Sequence, residues 1–309
     1  MKTLFPYPGN KYAVVRQVWE RIGDAPNYVE PFVGSGAMLF GRPPFEGYRV
    51  ETINDLSGHI SNVWRAIEAD PDGVVYYAAQ PVNELDLHAR GNWLFHRPDV
   101  GEWVERLRAD PDFHDVRSAG WWVWFAALWM GRLPSVTPGG KIARQRPRLG
   151  PRGRHSGVGS IVRNGNLTEY MHRIADRLRD VRVLCGDWTR VVRPPITVNH
   201  GLTAVFLDPP YSHDERSTLV YSDDTDVAPT VRRWAIDHGD DPRLRIVLCG
   251  FEGEHEMPED WSALRRQPGG RYGFHNGNRK RPPARPEVIW FSPHCLRPGE
   301  TKSLFEIQT

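Results

Sequence analysis

Short apolar runs alternate with helical patterns at the start of the chain. Residues 27–30 read as a buried strand that runs into a glycine-rich turn, and a helix is predicted to begin near Ala37. A second strand is predicted over 48–53, and apolar residues then recur at helical spacing from Ile60 to Ile67. Strands that alternate with helices predict a parallel α/β sheet.

The alternation stops near Asp70 and gives way to a helical, tryptophan-rich segment. This segment runs to about Leu133 and includes the apolar run WWVWFAALWM, residues 121–130. The run is too short to span a bilayer, so we predict a buried helix and expect no membrane partner. The tryptophans in it are predicted to pack in the core rather than to stack on bases. They are Trp121, Trp122, Trp124 and Trp129.

The α/β pattern resumes after residue 165. Helices are predicted over 167–178 and 227–238, and strands over 181–185, 203–207, 244–249, 261–266 and 287–292. Because the sheet is built from both sides of the helical segment, we predict an α/β domain made of residues 1–69 and 166–309. Residues 70–165 are then an inserted, mainly helical lobe.

Positive charge is concentrated in one part of the chain, although the net charge is only +2. Residues 134–162 form a predicted loop or hairpin that holds six basic residues and no acidic residue. A solvated loop is one interpretation, but this composition favours contact with nucleic-acid phosphates. The six are Lys141, Arg144, Arg146, Arg148, Arg152 and Arg154.

Cysteine and histidine usage predicts neither a disulfide framework nor a metal site. Cys185, Cys249 and Cys295 leave one thiol unpaired in any disulfide scheme and form no CxxC pair. The histidines are scattered without the spacing of metal ligands. We therefore expect a cytoplasmic protein that binds no metal.

The segment VFLDPPY, residues 205–211, is an apolar strand that ends in Asp208, Pro209, Pro210 and Tyr211. Ligands of open α/β sheets bind at the carboxyl ends of strands, and the prolines make this end rigid. An aromatic amine is a poor nucleophile because its lone pair is delocalised into the ring. Asp208 and the Pro209 carbonyl could accept both amine hydrogens while Tyr211 stacks on a flipped base. The alternative is a turn that merely ends the strand.

A second motif, YVEPFVGSG at residues 28–36, places Gly34 and Gly36 after the first strand. Asp55 follows Gly34 by 21 positions and ends the second strand, where a carboxylate binds ribose hydroxyls in nucleotide sites. Leu39 replaces the third glycine of GxGxxG, which favours a nucleoside over a pyrophosphate cofactor. A tight turn that packs helix on strand is the alternative interpretation of the glycines.

The order PYPGNK, YVEPFVGSG, ND, CGDW and DPPY resembles that of the Dam-like, alpha-class DNA adenine-N6 methyltransferases. The resemblance implies a Rossmann-like fold. It also implies an enzyme that uses S-adenosylmethionine to methylate a flipped adenine in double-stranded DNA. It also implies that residues 70–165 are the target-recognition domain. Members of such families occur in restriction-modification systems.

The resemblance also implies a role for individual residues of the motifs. Asp55 would bind the ribose of the cofactor, Asp187 would bond its adenine amine, and Trp188 would pack near the adenine ring. Other positions would close the cofactor site or hold the methionine part, and the DPPY residues would hold the target base. The positions that would close the cofactor site or hold the methionine part are Tyr7, Lys11, Glu30, Pro31, Phe32, Gly34 and Gly36. The positions that would hold the target base are Asp208, Pro209, Pro210 and Tyr211.

Two alternatives remain open from the sequence. The DPPY motif recognises an amine rather than a whole base, so cytosine-N4, RNA or another amine is a second substrate class. A DNA-binding protein that retains the fold without catalysis is the third hypothesis. The helical lobe lacks the family's Asn-Gly-Leu plus Arg signature and has MGRLPSVTPGGK instead, so no recognition sequence follows from the resemblance.

Overall fold

The computed structural model describes residues 1, 3–5, 7, 9, 11–44, 47–110, 112–129, 133–134, 136–147, 166–210, 227–266 and 285–299. Within these residues the α-helices are α1 Val15–Ile22, α2 Ala37–Phe40, α3 Gly58–Ala69, α4 Pro71–Ala78, α5 Glu84–His96, α6 Val100–Ala109, α7 Val116–Leu128, α8 Leu167–Leu178 and α9 Val227–His238. The strands are β1 Asn27–Glu30, β2 Val50–Asp55, β3 Val181–Cys185, β4 Thr203–Leu207, β5 Leu244–Phe251, β6 Ser262–Arg266 and β7 Glu287–Phe291.

The strands form a seven-stranded sheet in the order β3-β2-β1-β4-β5-β7-β6. β1 pairs with β4, and β4 with β5, in parallel, whereas β7 pairs antiparallel with both β5 and β6. The predicted mixed α/β architecture is confirmed, but the edge formed by β6 and β7 is antiparallel rather than parallel. Every residue of β4 is buried, while β6 exposes three of its five residues. This contrast is expected because an antiparallel edge can face water on one side.

The chain divides into two compact units, and β2 contributes residues to both. Unit 1 comprises Met1–Val15, Val33–Arg42 and Thr52–Arg190, and unit 2 comprises Arg16–Phe32, Pro43–Glu51 and Val191–Thr309. In unit 1, α7 packs against α3 and α4, and α8 packs against the same two helices. Helices of the predicted insertion thus share a compact unit with α3 and α8. The predicted domain boundaries at residues 70 and 165 stay a prediction.

Aromatic side chains form much of the core of unit 1. The ring of Phe5 stacks on Trp64 with centroids 5.5 Å apart and meets Trp122 edge-on at 4.7 Å. Trp124 is buried, and its indole N–H donates to the carbonyl of Gln80 over 2.8 Å. Trp122 and Trp129 are also buried, and Trp121 is half-buried. The predicted core role of the tryptophan cluster is therefore confirmed for three of its four members.

The structure gives the state of the cysteines and can be searched for membrane-spanning helices and for metal-binding clusters. All three cysteines are buried free thiols. Within the ranges given above, no helix is long and apolar enough to cross a membrane. Among those same residues, no cluster of three or more His, Cys, Asp or Glu side chains could hold a metal ion.

Two helical glycines of unit 1 provide a matched test of how closely α7 packs on α4. A Cβ atom on Gly120 of α7 would lie 2.4 Å from the Cβ of Tyr77 and 2.7 Å from the carbonyl oxygen of Val74. A Cβ atom on Gly101 of α6 would have no neighbour within 4 Å. Backbone at such a distance cannot move aside without separating the two helices.

We predict that Gly120→Ala lowers the free energy of unfolding by about 1–3 kcal/mol, as overpacked cores do. Gly101→Ala should raise it by up to about 1 kcal/mol, because alanine favours the helix. Urea unfolding of both variants measures the difference. Two variants that shift stability in the same direction would contradict the close helix contact.

Candidate functional site

Asp55, the last residue of β2, organises the carboxyl end of that strand in unit 1. Its Oδ2 accepts the backbone N–H of Gly34 over 3.0 Å, and its Oδ1 accepts the N–H of Ser57 over 2.9 Å. The carbonyl of Asn54 accepts the N–H of Val33 over 2.9 Å. The glycine-rich turn and the start of α3 are therefore both tied to the end of β2. Each carboxylate oxygen has a further lone pair that can accept another donor.

The surroundings of Asp55 disfavour its charged form. Although the residue is partly exposed, the atoms packed around its carboxyl group exclude water and raise its pKa from 3.8 to about 6. The two backbone N–H donors act in the opposite direction but do not offset the burial. A carboxylate with a raised pKa at a strand end is a common feature of binding and catalytic sites.

The glycine-rich turn has the backbone conformation that its sequence predicts. Gly34 and Gly36 have φ angles of +46° and +66°, in the left-handed region that favours glycine. A Cβ atom on Gly34 would lie 2.7 Å from Cε1 of Tyr7, so the tyrosine ring lies directly against the turn. The structure thus brings together two residues of separate motifs, PYPGNK and YVEPFVGSG.

Lys11 is almost completely buried, with 3% of its surface exposed. Its Nζ donates to the carbonyl of Gly9 over 2.7 Å. Burial of an ammonium group is unfavourable unless the group is paired or hydrogen-bonded. Lys11 is therefore an interior polar group rather than a surface lysine.

The CGDW motif begins at Cys185, the last residue of β3, and is bonded to the end of β2. The backbone N–H of Gly186 donates to the carbonyl of Asp55 over 3.1 Å, and the side-chain amide of Asn54 donates to the carbonyl of Gly186 over 3.0 Å. Asp187 is exposed, and its Oδ1 accepts the backbone N–H of Thr189 over 2.9 Å. Trp188 is buried. In unit 1 the structure therefore joins the ND and CGDW motifs, which are 130 positions apart, at one strand edge.

Unit 2 holds a second group of the predicted site residues, at the ends of β1 and β4. These strands run parallel, with Val29 paired to Val205, so Glu30 and Asp208 lie toward the same edge. Glu30 is buried and accepts the hydroxyl of Tyr28 over 2.8 Å. Asp208 is partly exposed directly after β4, and Pro209 is buried beside it.

The remaining predicted positions divide between described and undescribed parts of the chain. Pro31 is buried, and Phe32 and Pro210 are partly exposed. In the basic segment, Lys141, Arg144 and Arg146 are exposed. Other predicted positions lie outside the described residues. These are Tyr211, Arg148, Arg152 and Arg154.

Sequence reasoning missed residues that position the site rather than contact a ligand. Ser57 and Gly186 hold Asp55 through backbone groups, which carry no side-chain signature. His88, Asn92 and His96 of α5 bond the start of the basic segment. Their spacing of four residues along a predicted helix is the signal that could have identified them.

Comparison with known proteins finds similarity to one family over about a third of the chain. A model of the D12-class N6 adenine-specific DNA methyltransferases matches residues 7–119. The chain is similar to this family. The resemblance to Dam-like enzymes that the motifs predicted is thereby confirmed. The matched region holds the turn with Gly34 and Gly36 and the end of β2 at Asp55, whereas CGDW and DPPY follow it.

A curated relative supports the same family. The DNA N-6-adenine-methyltransferase of Escherichia phage P1 is 23% identical over 77 residues, which cover 25% of this chain. The match spans 10% of the length of the phage protein. Both comparisons identify similarity to enzymes that methylate DNA, as the sequence predicted.

The pH dependence of Asp55 follows from its pKa. Below about pH 4 the carboxyl group is protonated in the folded and the unfolded chain alike. Between about pH 4 and 6 the unfolded chain loses this proton first, because the folded pKa is about 6. The contribution of Asp55 to stability therefore decreases as pH rises through this window.

We predict a titration midpoint near pH 6 for the Asp55 carboxyl group in the cofactor-free protein. Carbon-13 NMR of the aspartate carboxyls, with Asp55→Ala used to assign the signal, measures it. The unfolding free energy of the wild type relative to Asp55→Ala should fall between about pH 4 and 6. A midpoint near 4 would show that the carboxyl group is solvated.

Proposed function

We propose that the chain is a site-specific DNA methyltransferase that transfers the methyl group of S-adenosylmethionine to the N6 amine of a flipped adenine in duplex DNA. The observation that carries the proposal is the junction at Asp55, which joins the glycine-rich turn, the start of α3 and the CGDW segment. Residues 7–119, which include most of this junction, also match the adenine methyltransferase family.

The donor and acceptor groups of unit 1 fit the nucleoside part of S-adenosylmethionine. Ribose hydroxyls are donors, and the oxygens of Asp55 have lone pairs beyond those used by Gly34 and Ser57. The adenine amine is also a donor, and the exposed carboxylate of Asp187 is an acceptor. Tyr7 covers the turn at Gly34, where backbone passes close to an aromatic ring. Under the proposal these residues hold the cofactor, together with Lys11, Gly36 and the packed ring of Trp188.

Unit 2 would hold the reacting amine. Asp208 follows a fully buried strand, so its carboxylate is presented from a rigid edge, and the prolines after it restrict the backbone. Under the family resemblance Glu30, Pro31 and Phe32, at the end of β1, hold the methionine part of the cofactor. Glu30 is pre-positioned for such a role because the Tyr28 hydroxyl fixes its carboxylate.

The bound cofactor would supply a methyl group on a positively charged sulfur. Asp208 and the Pro209 carbonyl would accept hydrogen bonds from the target amine and draw its lone pair out of conjugation with the ring. The amine nitrogen would take up this methyl group in an in-line displacement that leaves the sulfur neutral. The amine then releases one proton, through Asp208, to solvent. Alignment and electrostatic stabilisation by positioned acceptors suffice for such a displacement.

The exposed basic residues of unit 1 support DNA as the substrate. Lys141, Arg144 and Arg146 have no acidic neighbour in sequence and face solvent, where a phosphate backbone can reach them. Such contacts position a duplex without reading its sequence. Methylation of cytosine N4 or of RNA would use the same amine chemistry. The experiments below distinguish these products from N6-methyladenine in DNA.

The first prediction of this proposal concerns cofactor affinity. Asp55→Ala should weaken S-adenosylmethionine binding by roughly tenfold to a hundredfold, the loss expected for a hydrogen bond to a charged group. Wild-type affinity should be constant above about pH 6 and fall below it, because the protonated carboxyl group of Asp55 is a weaker acceptor. Isothermal titration calorimetry at several pH values measures both effects.

Asp112→Ala is the matched control, because Asp112 is an exposed aspartate of the same unit. It should leave both the affinity and its pH profile unchanged. An Asp55→Ala protein that binds S-adenosylmethionine as tightly as wild type would remove Asp55 from the site.

The second prediction separates the roles within DPPY. Asp208→Ala should abolish methyl transfer while leaving duplex binding largely intact, because only the reacting amine needs this acceptor. Tyr211→Phe should retain substantial activity since it keeps the stacking ring, whereas Tyr211→Ala should not. Nucleoside mass spectrometry of methylated duplexes measures both the rate and the identity of the product.

Asp237→Ala, an exposed aspartate of α9, serves as the control and should methylate at the wild-type rate. An active Asp208→Ala enzyme would refute the proposed role of Asp208. Methylcytosine as the main product would replace adenine with cytosine-N4 as the target.

A further inference from the structure

The first part of the basic segment lies along one face of α5. Residues 136–147, here called the basic strap, have no regular secondary structure, yet their exposure is strongly patterned. Lys141, Arg144 and Arg146 are exposed, whereas Ile142 and Gln145 are half-buried. The three charged side chains therefore face solvent, whereas Ile142 packs against the helix.

Three side chains of α5 hydrogen-bond the backbone of the basic strap. Asn92 accepts the N–H of Ile142 over 3.0 Å, and Nδ1 of His96 donates to the carbonyl of Thr137 over 2.7 Å. Nε2 of His88 lies 3.0 Å from the carbonyl oxygen and 3.1 Å from the amide nitrogen of Gln145, and it bonds one or the other according to its tautomer. Residues four apart lie on the same face of a helix, so these three, here called the α5 clamp, form one row.

The packing between helix and strap is close. A Cβ atom on Gly91 of α5 would lie 2.5 Å from Cδ1 of Ile142, so this glycine provides the space that the isoleucine occupies. At the end of the helix the N–H of Thr137 donates to the carbonyl of Phe95 over 2.8 Å. The N–H of Gly139 donates to the carbonyl of His96 over 2.9 Å. The strap thus also satisfies carbonyl groups that the helix end leaves without an internal partner.

We propose that the α5 clamp is a positioning device that holds Lys141, Arg144 and Arg146 in a preformed arrangement for DNA phosphates. The identity of the ligand rests on the proposed function, whereas the clamp itself rests on the contacts above. A segment that becomes ordered only on binding loses conformational entropy at that step, and this loss weakens the complex. A strap already held by three side chains avoids most of that loss.

The proposal separates two kinds of residue by their effect on salt dependence. Arginines that contact phosphates release counterions, so their removal lowers the slope of log affinity against log salt by about 0.9 per contact. The clamp residues bond the strap backbone, and under the proposal they do not contact the DNA. Their removal should weaken binding and leave the slope unchanged, because the same basic side chains still reach the phosphates.

The first test measures the strap without DNA. In Asn92→Ala/His96→Ala, amide hydrogen exchange at Ile142 should become about tenfold faster or more, as expected for lost hydrogen bonds. His114→Ala is the control, since His114 bonds only the carbonyl of Asp112 in its own turn. His96→Asn retains an N–H donor near the position of Nδ1. Exchange at the Ile142 amide should therefore be slower in His96→Asn than in His96→Ala. Asn92→Ala alone serves as the test if the double variant does not fold.

The second test measures duplex affinity across a range of salt concentrations. Asn92→Ala/His96→Ala, the clamp variant, should bind duplex DNA about tenfold more weakly with an unchanged slope of log affinity against log salt. Arg144→Ala/Arg146→Ala should have a lower slope. The proposal that the α5 clamp positions the strap would be refuted if the clamp variant exchanged the Ile142 amide at the wild-type rate. It would also be refuted if that variant bound duplex DNA with unchanged affinity. A lowered slope in the clamp variant would assign these residues to phosphate contact instead. A wild-type protein that binds no duplex would overturn the DNA role, while the exchange result would still decide whether the clamp holds the strap.

Discussion

Two backbone hydrogen bonds to the carboxylate of Asp55 determine the geometry of the candidate site in unit 1. One comes from Gly34 in the turn after β1, and the other from Ser57 at the start of α3. The carbonyl of the same residue accepts the N–H of Gly186, ahead of Asp187. Three segments distant in sequence therefore meet at a single residue. The atoms packed around this carboxylate limit its solvation and raise its pKa.

Local pattern predicted the fold well where burial is periodic. The bounds of β1, β3, β4, α8 and α9 agree with the predictions because each is a short strand or an amphipathic helix between clear turn signals. The antiparallel pairing of β6 and β7 was not predicted, because it depends on how the chain connects the two strands and because β7 is nearly as buried as a parallel strand. The division into compact units was not predicted either. It depends on which faces of α3, α4, α7 and α8 pack together.

The candidate site was predictable to the extent that its residues form motifs. Gly34 and Asp55 were found because a turn and a strand end each have a sequence signature, and the structure joins them by a hydrogen bond. The α5 clamp was missed because histidine and asparagine on a helix usually face solvent, and their spacing of four residues shows a shared helix face but not the loop that returns to it. Contacts of this kind are long-range and depend on the fold rather than on local chemistry.

The close fit of the basic strap to α5 bears on how such a segment can change during evolution or engineering. The strap depends on a helix more than 40 residues before it, through Gly91 as well as through the polar row at His88, Asn92 and His96. A strap transferred alone into a related protein would lose the hydrogen bonds and the packing that α5 provides. An exchange of the strap between relatives would therefore have to include the face of α5 that it packs against.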